Sequence, residues 1–437
     1  MKKSLRIIAT AILIIYIFGW PLYIYYNEVD NKEKEDKQWT GIITLWDFPR
    51  LNVNTGTRYG WINEKIKRFE RSHPGVYIEL TPISWEKGPI KLEVAAKTGN
   101  LPDIASVGCD FKYMNENILE PLNGYFTKDE LAEFKYQSLK AVTYNDKLWG
   151  VPFMMTTYGM YLNMEMFRER GIEPPVDGNW TYDEFIKKMK ELTWDSDNDG
   201  EIDRYGFVSF IKPNYYNIWG IILSDGAEII NEDKKYVFSG DKALKGIKKV
   251  VKLKNEYKVT PKDFGLLDEN KAWEMFYNGK VAAYPTGSWA KRVLENRYDK
   301  GEGFEFSIAN YPIGDRKIPI TLNNSVSAYG VFKQEDKEKL DMCMEFIKFI
   351  IQDKYQYKLE DLGVFPAKRD IENLYKNDKN MRKLKDSLTY TKTLPKHKKW
   401  KEIDRILQNQ IRLAIIGKKS SKEALIEAEN QIENLLK

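Results

Sequence analysis

Histidine and cysteine are nearly absent from this chain of 437 residues, which has two of each. A zinc site built from these residues needs three or four of them close together, and a disulfide scaffold needs many cysteines. The counts exclude both, and His73 and His397 each lie in a turn-like segment, which argues against a Ser–His or Cys–His nucleophile. Cys109 and Cys343 either pair outside the cell or are two buried thiols, and the sequence leaves both interpretations open.

Strong net charge and enzyme motifs are also missing. The 69 basic residues barely outnumber the 64 acidic ones and form no dense block, so nucleic acid is not expected as a partner. The chain has no G-x-x-x-x-G-K-[ST] phosphate loop and no G-x-S-x-G nucleophile motif, and Gly301-Glu302-Gly303 lacks the third glycine of a dinucleotide fingerprint. Carboxylate pairs are plentiful, so a glycosidase is the one enzyme class that the sequence leaves open.

A long uncharged segment opens the chain. Ile7 to Asn27 follow three basic residues and precede a charged tract. About 20 apolar residues span a bilayer, and flanking positive charges stay inside the cell. We therefore expect residues 1–27 to be a transmembrane anchor, residues 28–40 a charged tether and the remainder extracellular. A cleaved signal peptide is the alternative, but such a peptide has a shorter apolar region that ends in small residues.

Strand and helix patterns alternate after the tether. Short apolar runs at 41–46, 76–80 and 102–107 predict strands, and helical spacing at 61–71 and 92–97 predicts helices between them. This order predicts an α/β fold with mostly parallel strands. Ligands of such sheets bind beyond the carboxyl ends of the strands, and Asp47 and Asp110 follow two of those ends.

The second half of the chain is richer in helix. Thr181 with Glu184 predicts a capped helix start, residues 271–278 predict a helix, and residues 281–284 predict a strand. A final helical pattern over 400–437 is interrupted at Gly417. The 27 tyrosines and 12 tryptophans exceed what a core needs, which indicates a ligand site lined by rings.

One acidic segment matches the first nine positions of a calcium-binding loop. Carboxylates at alternating positions surround a hard cation, a glycine at the sixth position lets the chain turn, and the seventh residue donates its backbone carbonyl. The twelfth position, which needs a bidentate Glu, is Gly206, so the last ligand comes from elsewhere or the site is weak. We expect structural Ca²⁺, with a solvated acidic turn as the alternative; the predicted ligands are Asp195, Asp197, Asp199, Glu201 and Asp203.

Seven short segments lie along the chain in a characteristic order and spacing: LPDI at 101–104, NILEPL at 117–122, YNDKLWGVP at 144–152, YLN at 161–163, FYNGKVAA at 276–283, GSW at 287–289 and GVFPA at 363–367. In this order they resemble the extracellular solute-binding proteins of ABC sugar importers, the group that contains maltose-binding protein. The resemblance covers residues 41–437.

The resemblance implies a two-lobed, type II periplasmic-binding-protein-like fold that closes on a sugar like a hinge. Each lobe is expected to be a mostly parallel sheet flanked by helices. Lobe one is expected at 41–154 plus 327–368, and lobe two at 155–326 plus 369–437. Crossing segments are expected near Phe153–Thr156, Leu322–Ser327 and Ala367–Arg369.

The resemblance also implies ligand-binding residues. Aromatic rings cover the apolar faces of a sugar, and carboxylates take hydrogen bonds from its hydroxyls. Thr156 and Asn214 stand where family members carry carboxylates, which argues against a maltose-like ligand but not against a sugar. The predicted ligand-binding residues are Asp47, Asp110, Thr156, Tyr158, Tyr216, Trp289 and Trp400.

Structural interpretations compete with several of these assignments. Asp47 is also suited to cap the turn before Pro49, and Asp110 to cap the following helix. Trp289 and Tyr158 are also suited to core packing, which is the favoured role for Trp219.

The expected function is therefore a membrane-anchored extracellular carbohydrate-binding protein, monomeric and not an enzyme. It is expected to capture a saccharide, with the many aromatic residues favouring an oligosaccharide, and to deliver it to the permease of an ABC transporter. The alternatives are a sugar sensor that signals to a membrane partner and, less favoured, a glycosidase.

Overall fold

The computed structural model describes residues 15–21, 23, 39–108, 110–371 and 373–437. Two main sheets organise them: six strands in the order β13-β6-β12-β3-β1-β2, and four in the order β10-β7-β9-β8. Two short pairs, β4-β5 and β11-β14, complete the strands. The strands are β1 (Gly41–Asp47), β2 (Val76–Pro82), β3 (Ile104–Ser106), β4 (Thr143–Tyr144), β5 (Lys147–Leu148), β6 (Val151–Met155), β7 (Tyr158–Asn163), β8 (Tyr205–Phe207), β9 (Val281–Gly287), β10 (Phe306–Ala309), β11 (Thr321–Asn323), β12 (Val326–Val331), β13 (Phe365–Pro366) and β14 (Thr391–Thr393).

Helices cover both sheets, which confirms the predicted α/β fold. Thr181 and Glu184 form the predicted capping box at the start of α7. The helices are α1 (Gly60–Ser72), α2 (Gly88–Thr98), α3 (Phe111–Asn115), α4 (Lys128–Ala132), α5 (Tyr136–Val142), α6 (Met164–Glu169), α7 (Tyr182–Glu191), α8 (Trp219–Ile222), α9 (Gly240–Asn255), α10 (Glu269–Tyr277), α11 (Ala290–Asp299), α12 (Lys337–Ile350), α13 (Asp353–Gln356), α14 (Lys379–Ser387), α15 (Trp400–Ile415) and α16 (Ser421–Leu436).

Two apolar clusters form the core, and the first of them includes residues of both sheets. The six-stranded sheet buries alternate residues such as Ile43 and Leu45 of β1 against the apolar face of α1, where Ile62 and Phe69 are buried. The second cluster combines residues of the four-stranded sheet with α7 and with α9, α15 and α16, which pack on one another. We call the six-stranded sheet with its helices lobe one and the four-stranded sheet with its helices lobe two.

The prediction of mostly parallel sheets is wrong. In lobe one, β1 is parallel to β2 and β3, but the pairs β12–β3, β12–β6 and β13–β6 are antiparallel. In lobe two only β8–β9 is parallel, and β7 is antiparallel to both β9 and β10. The reason is that several strands carry the chain between lobes: β6 leaves lobe one, and β12 comes back and lies beside it in the opposite direction.

Connections between the sheets are short. Two residues, Thr156 and Thr157, join β6 to β7, and two more join β11 to β12. After β13 the chain continues to α14, which contacts β7 and β10 of lobe two.

Two sequence-based expectations concern the ends and the thiols. No helix among the described residues is long and apolar enough to cross a membrane, and most of residues 1–40, including most of the predicted anchor, lies outside them. Cys343 is a buried free thiol on α12, whereas Cys109 lies outside the described residues.

Candidate ligand-binding cleft

The strand directions aim the loops of both lobes at a common cleft. β6 runs in the same direction as β3, because both are antiparallel to β12, and β6 leads directly into lobe two. The carboxyl ends of β1, β2, β3 and β6 therefore face lobe two. β9 and β10 run opposite to β7, and β8 is parallel to β9, so their carboxyl ends face lobe one. Loops that follow these strands line the space between the lobes.

Asp47 follows β1 at this edge but is fully buried, with both carboxylate oxygens held by protein groups. Arg50 Nη1 donates to both oxygens at 2.8 Å, the Tyr329 hydroxyl donates to Oδ2 at 2.8 Å, and the Phe48 N–H donates to Oδ1 at 2.9 Å. Burial lowers the pKa of the Arg50 guanidinium, but Asp47 more than offsets it, so the net pKa is raised. Asp47 therefore orients Arg50, and its own contact with a ligand stays a prediction.

Asp110 follows β3 and is exposed where lobe one faces lobe two. Its Oδ1 accepts the Lys112 backbone N–H at 2.9 Å, which confirms that it caps α3. Desolvation by the surrounding protein raises the pKa of this carboxyl, against the hydrogen bond and charge of Lys112 and the charge of Lys401. Because Lys401 lies on α15 of lobe two, the Asp110 carboxylate interacts with a charge on the other side of the cleft.

Ionic and polar contacts bridge the lobes close to Asp110. Glu93 of α2 pairs with Lys401 of α15 at 2.7 Å, and within lobe one it pairs with Lys97 at 3.2 Å and Lys112 at 3.4 Å. The hydrogen bond from Lys401, with help from the other cations, lowers the pKa of Glu93 to about 2. A second bridge runs from Lys234 Nζ of lobe two to the Tyr144 hydroxyl of lobe one, at 3.3 Å. The lobes therefore contact each other through polar groups.

Trp289 stands on the lobe-two wall, directly after β9. It is 43% exposed, and its ring lies 5.6 Å from that of Trp273, tilted by 49°. Trp219, by contrast, is fully buried, as the core interpretation predicted. An exposed tryptophan with a second ring beside it is an apolar platform suited to a ligand's flat face.

Tyr216 and Trp400 form a stacked pair deeper in the same wall. Their ring centroids are 6.2 Å apart with planes at 27°, and Trp400 Nε1 donates to the Tyr216 hydroxyl at 3.2 Å. Both are buried or nearly so. Burial raises the pKa of Tyr216 strongly, Asp404 raises it further, and the charge of Asp110 contributes from across the cleft. These two rings therefore lie behind the surface of the cleft and support it.

Thr156 and Tyr158 lie where the chain crosses between the lobes. The Thr156 hydroxyl is hydrogen-bonded to Ser288 Oγ at 2.9 Å, which ties the crossing to the end of β9. Tyr158 is half-buried at the start of β7, and desolvation with the nearby Glu269 carboxylate raises its pKa. Both predicted residues therefore sit at the hinge side of the cleft, and their contact with a ligand stays a prediction.

The acidic loop of lobe two brings three predicted metal ligands together. Carboxylate oxygens of Asp195, Asp197 and Asp199 all lie within 4.8 Å of one another. Asp195 Oδ2 accepts the Gly200 N–H at 2.7 Å, whereas its Oδ1 is buried and has no hydrogen-bond partner among the described residues. Repulsion from Asp199 and Asp195 overcomes the hydrogen bond of the Asp199 N–H and raises the pKa of Asp197. Crowded carboxylates and a bare buried oxygen fit a hard cation.

The other predicted metal ligands are placed differently. Asp203 accepts from the Ser196 N–H at 2.8 Å and hydroxyl at 2.7 Å, and it pairs with Arg204 at 2.6 Å. The Glu201 N–H donates to Asp199 Oδ1 at 2.8 Å. The Asp203 carboxylate is therefore occupied by hydrogen bonds and an ion pair within its own loop.

The sequence profile that describes a bacterial extracellular solute-binding protein matches residues 64–383. The chain belongs to this family. The match covers well over half of the chain and spans both lobes, which confirms the resemblance seen in the sequence. Solute-binding proteins are not enzymes, in agreement with the expectation from the motifs.

Named relatives of this solute-binding protein cover most of its length at low identity. The multiple sugar-binding protein of Streptococcus mutans is 22% identical over 77% of this chain and 76% of its own length. Two solved structures share the fold: an ABC substrate-binding protein from Listeria monocytogenes in complex with cycloalternan, and the Thermus thermophilus maltotriose binding protein bound with maltotriose. The first has a TM-score of 0.76 at 19% identity over 91% of this chain and 99% of that one, and the second has 0.72 at 20% over 90% and 100%.

Further residues of the solute-binding protein line or support the cleft although they were not predicted. Trp85, which follows β2, is 54% exposed and stacks on Phe48 at 4.3 Å. Tyr215 comes after β8 and lies beside Glu269. Burial raises the pKa of the Glu269 carboxyl, although a hydrogen bond with Tyr215 opposes the shift. The rule that found Asp47 and Asp110, position after a strand, would also have found Trp85, whereas Tyr215 follows a strand that the sequence did not predict. Trp273 lies on α10, where no such rule applies.

Proposed function

We propose that this solute-binding protein captures a saccharide, favouring an oligosaccharide, in the cleft between its lobes and closes on it by a hinge motion. The observation that carries the proposal is the Trp289–Trp273 ring pair in lobe two, together with the polar group of Asp110, Lys112 and Glu93 in lobe one, which pairs with Lys401 of lobe two. Sugars need such a combination, because their ring faces are apolar and their rims are hydroxyls. The sugar-binding relatives, including those with maltotriose and cycloalternan, support this ligand class.

The same proposal places the protein on the extracellular face of the membrane, held by residues 1–27, where it hands its ligand to an ABC permease. The family description as extracellular and the uncharged run from Ile7 to Asn27 support this placement. A sugar sensor that signals to a membrane partner is the second candidate. It is favoured by the absence of a cysteine near that run to carry a lipid, since the chain's cysteines are at 109 and 343.

Structural Ca²⁺ in the acidic loop is part of the proposal. Asp195, Asp197 and Asp199 would hold the ion with the backbone carbonyl of Glu201. The ion would hold the loop before β8 and has no part in ligand contact. Asp203 would have to leave Ser196 and Arg204 to take part.

A calorimetric panel tests the proposed function. The protein, with Ca²⁺ present, is titrated with maltotriose, cycloalternan, lactose and glucose, and each sample is then analysed for cleaved sugar. Binding of one class without cleavage is expected, together with a rise in melting temperature of a few degrees at saturating ligand. Cleavage of a sugar would support the glycosidase hypothesis instead. A lack of binding across a wider panel of sugars would reject the proposal that the ligand is a saccharide.

A further inference from the structure

The loop that follows β8 holds an uncommon backbone conformation beside the cleft. Asn214 has φ of 69°, in the left-handed region that few non-glycine residues adopt. The next two residues, Tyr215 and Tyr216, belong to the lobe-two wall. Since such a turn persists only when its surroundings hold it, the groups that fix Asn214 also fix the wall.

One face of α15 provides those groups. Asp404 is fully buried, and its Oδ2 accepts the Asn214 N–H at 2.6 Å. Its Oδ1 accepts Gln408 Nε2 at 3.2 Å, and the same Nε2 donates to the Tyr215 carbonyl at 2.7 Å. Trp400 donates to the Tyr216 hydroxyl at 3.2 Å. Residues 400, 404 and 408, spaced by four along the helix, thus hold the three consecutive loop residues 216, 214 and 215.

The Asp404 carboxylate has no cation to balance it. No Lys, Arg or His of the described chain forms an ion pair with it, and desolvation raises its pKa to about 7 against the hydrogen bonds of Asn214 and Gln408. The titratable group beside it is the Tyr216 phenol on the loop, whose pKa the Asp404 charge raises, while Lys212 and Arg405 are exposed to solvent. An ionised carboxylate that is buried without a cation lowers the stability of the folded protein, so its presence here indicates a functional role.

We propose that Asp404 is a positioning residue of the cleft, whose ionised carboxylate fixes the loop at Asn214–Tyr216 and so makes ligand affinity depend on pH. The inference rests on the proposed saccharide cleft and names its regulation. Both partners of the carboxylate, the Asn214 N–H and Gln408 Nε2, are hydrogen-bond donors. A proton on the carboxylate would therefore face a donor and could not form a hydrogen bond with it. The amide of Gln408 is free to turn over, because its Oε1 has no partner among the described residues. After that turn Oε1 accepts the carboxyl proton, and the Tyr215 carbonyl loses its donor.

Affinity and stability then move in opposite directions with pH. As pH falls through about 7, the loop loses a hydrogen bond and affinity falls. The folded-state pKa of Asp404 lies above the unfolded value of about 3.9. Its contribution to stability is therefore full below the unfolded pKa and is lost as pH rises through the folded one. Asp404→Asn, which resembles the protonated form, should weaken binding without lowering stability at pH 8, whereas a purely structural residue would lose both.

The binding arm uses calorimetry at pH 6 and pH 8 with whichever of maltotriose, cycloalternan, lactose and glucose binds the wild type in the panel. For the wild type we expect the Kd to be about three- to ten-fold weaker at pH 6, the effect of one hydrogen bond. Asp404→Asn should show the weak Kd at both pH values, with a melting temperature at pH 8 equal to or above that of the wild type. Gln408→Leu, which removes the hydrogen bonds to Tyr215 and to Asp404 but leaves the carboxylate in place, should also bind weakly. A pH-independent wild-type Kd would overturn the proposal.

The second arm needs no ligand. The indole N–H signal of Trp400, assigned by Trp400→Phe, is followed by NMR from pH 5.5 to 8.5 in a His397→Gln background, which removes the nearby histidine. We expect a midpoint near 7 that disappears with Asp404→Asn. A flat signal, or an Asp404→Asn protein less stable than wild type at pH 8, would overturn the positioning role. Titration of Trp400 in a protein that binds no saccharide would instead reject the proposed function and support the positioning role.

Discussion

Trp289 is the residue on which the candidate cleft depends most. Its ring is partly exposed beside Trp273, while the neighbouring strand β9 is buried throughout. We expect Trp289→Ala to weaken saccharide binding by about 30-fold, since exposed aromatic anchors typically carry about 2 kcal/mol of binding energy. The melting temperature should change little, because much of the ring is already in water. Calorimetry with the saccharide identified in the panel measures the first, and thermal unfolding the second.

A matched control lies on the helix that follows. Tyr298, on α11, is 48% exposed, close to the exposure of Trp289, and Tyr298→Ala should leave affinity unchanged. Equal affinity losses in both variants would show a general effect on α11. An unchanged Kd for Trp289→Ala would remove this residue from the site.

Asp47 leads to a prediction of the opposite kind. Its carboxylate is buried against Arg50, so Asp47→Ala leaves an uncompensated guanidinium in the core of lobe one. We expect a loss of about 3–5 kcal/mol in the free energy of unfolding, measured in urea. Ser106→Ala, which removes one hydrogen bond from the same Arg50, should cost about 1 kcal/mol. Unchanged stability with lost affinity would instead make Asp47 a direct ligand contact.

The contrast between Asp47 and Asp110 shows what position in the sequence can predict. Both follow a strand, and both were expected at the cleft for that reason. Whether such a carboxylate faces the ligand or a neighbouring side chain depends on tertiary partners, here Arg50 and Tyr329, and Tyr329 comes 282 residues later in the chain. Sequence spacing carries no information on that encounter.

At the scale of elements, the acidic loop gives a prediction about metal. Asp195, Asp197 and Asp199 repel one another at close range, so an ion that neutralises them should stabilise the folded state. We expect the melting temperature to fall when Ca²⁺ is replaced by a chelator. The Asp199→Asn variant should respond less, and Asp233→Asn, in an exposed turn, should respond like the wild type. Identical melting curves with Ca²⁺ and with chelator would reject the calcium site and favour the alternative interpretation, a solvated acidic turn.

The elements themselves were more predictable than their directions. Strands β1 and β2 and helices α1, α7 and α10 lie close to their predicted positions, because local periodicity and capping fix them. Strand direction follows from where the chain goes between lobes, which no local pattern records. The antiparallel pairs of β6 with β12 and β13 arise in this way.

At the scale of the whole molecule, Glu93 links the cleft to the balance between open and closed forms. It pairs with Lys401 of lobe two and with Lys97 on its own helix, so only the first pair crosses the cleft. Removing the crossing pair should favour the open form. An exposed ion pair contributes about 1 kcal/mol at most, which limits the change in the open-to-closed ratio to about five-fold.

We therefore expect Lys401→Ala to increase the radius of gyration of the ligand-free protein in X-ray scattering, whereas Lys97→Ala, which removes the pair confined to lobe one, should not. High salt should bring the wild type close to Lys401→Ala, because screening weakens exposed pairs. Saturating ligand should return both proteins to the same closed dimensions, since the ligand adds contacts of its own across the cleft. If Lys97→Ala and Lys401→Ala expand the protein equally, the effect belongs to the fold of α2, and the pair does not hold the lobes together.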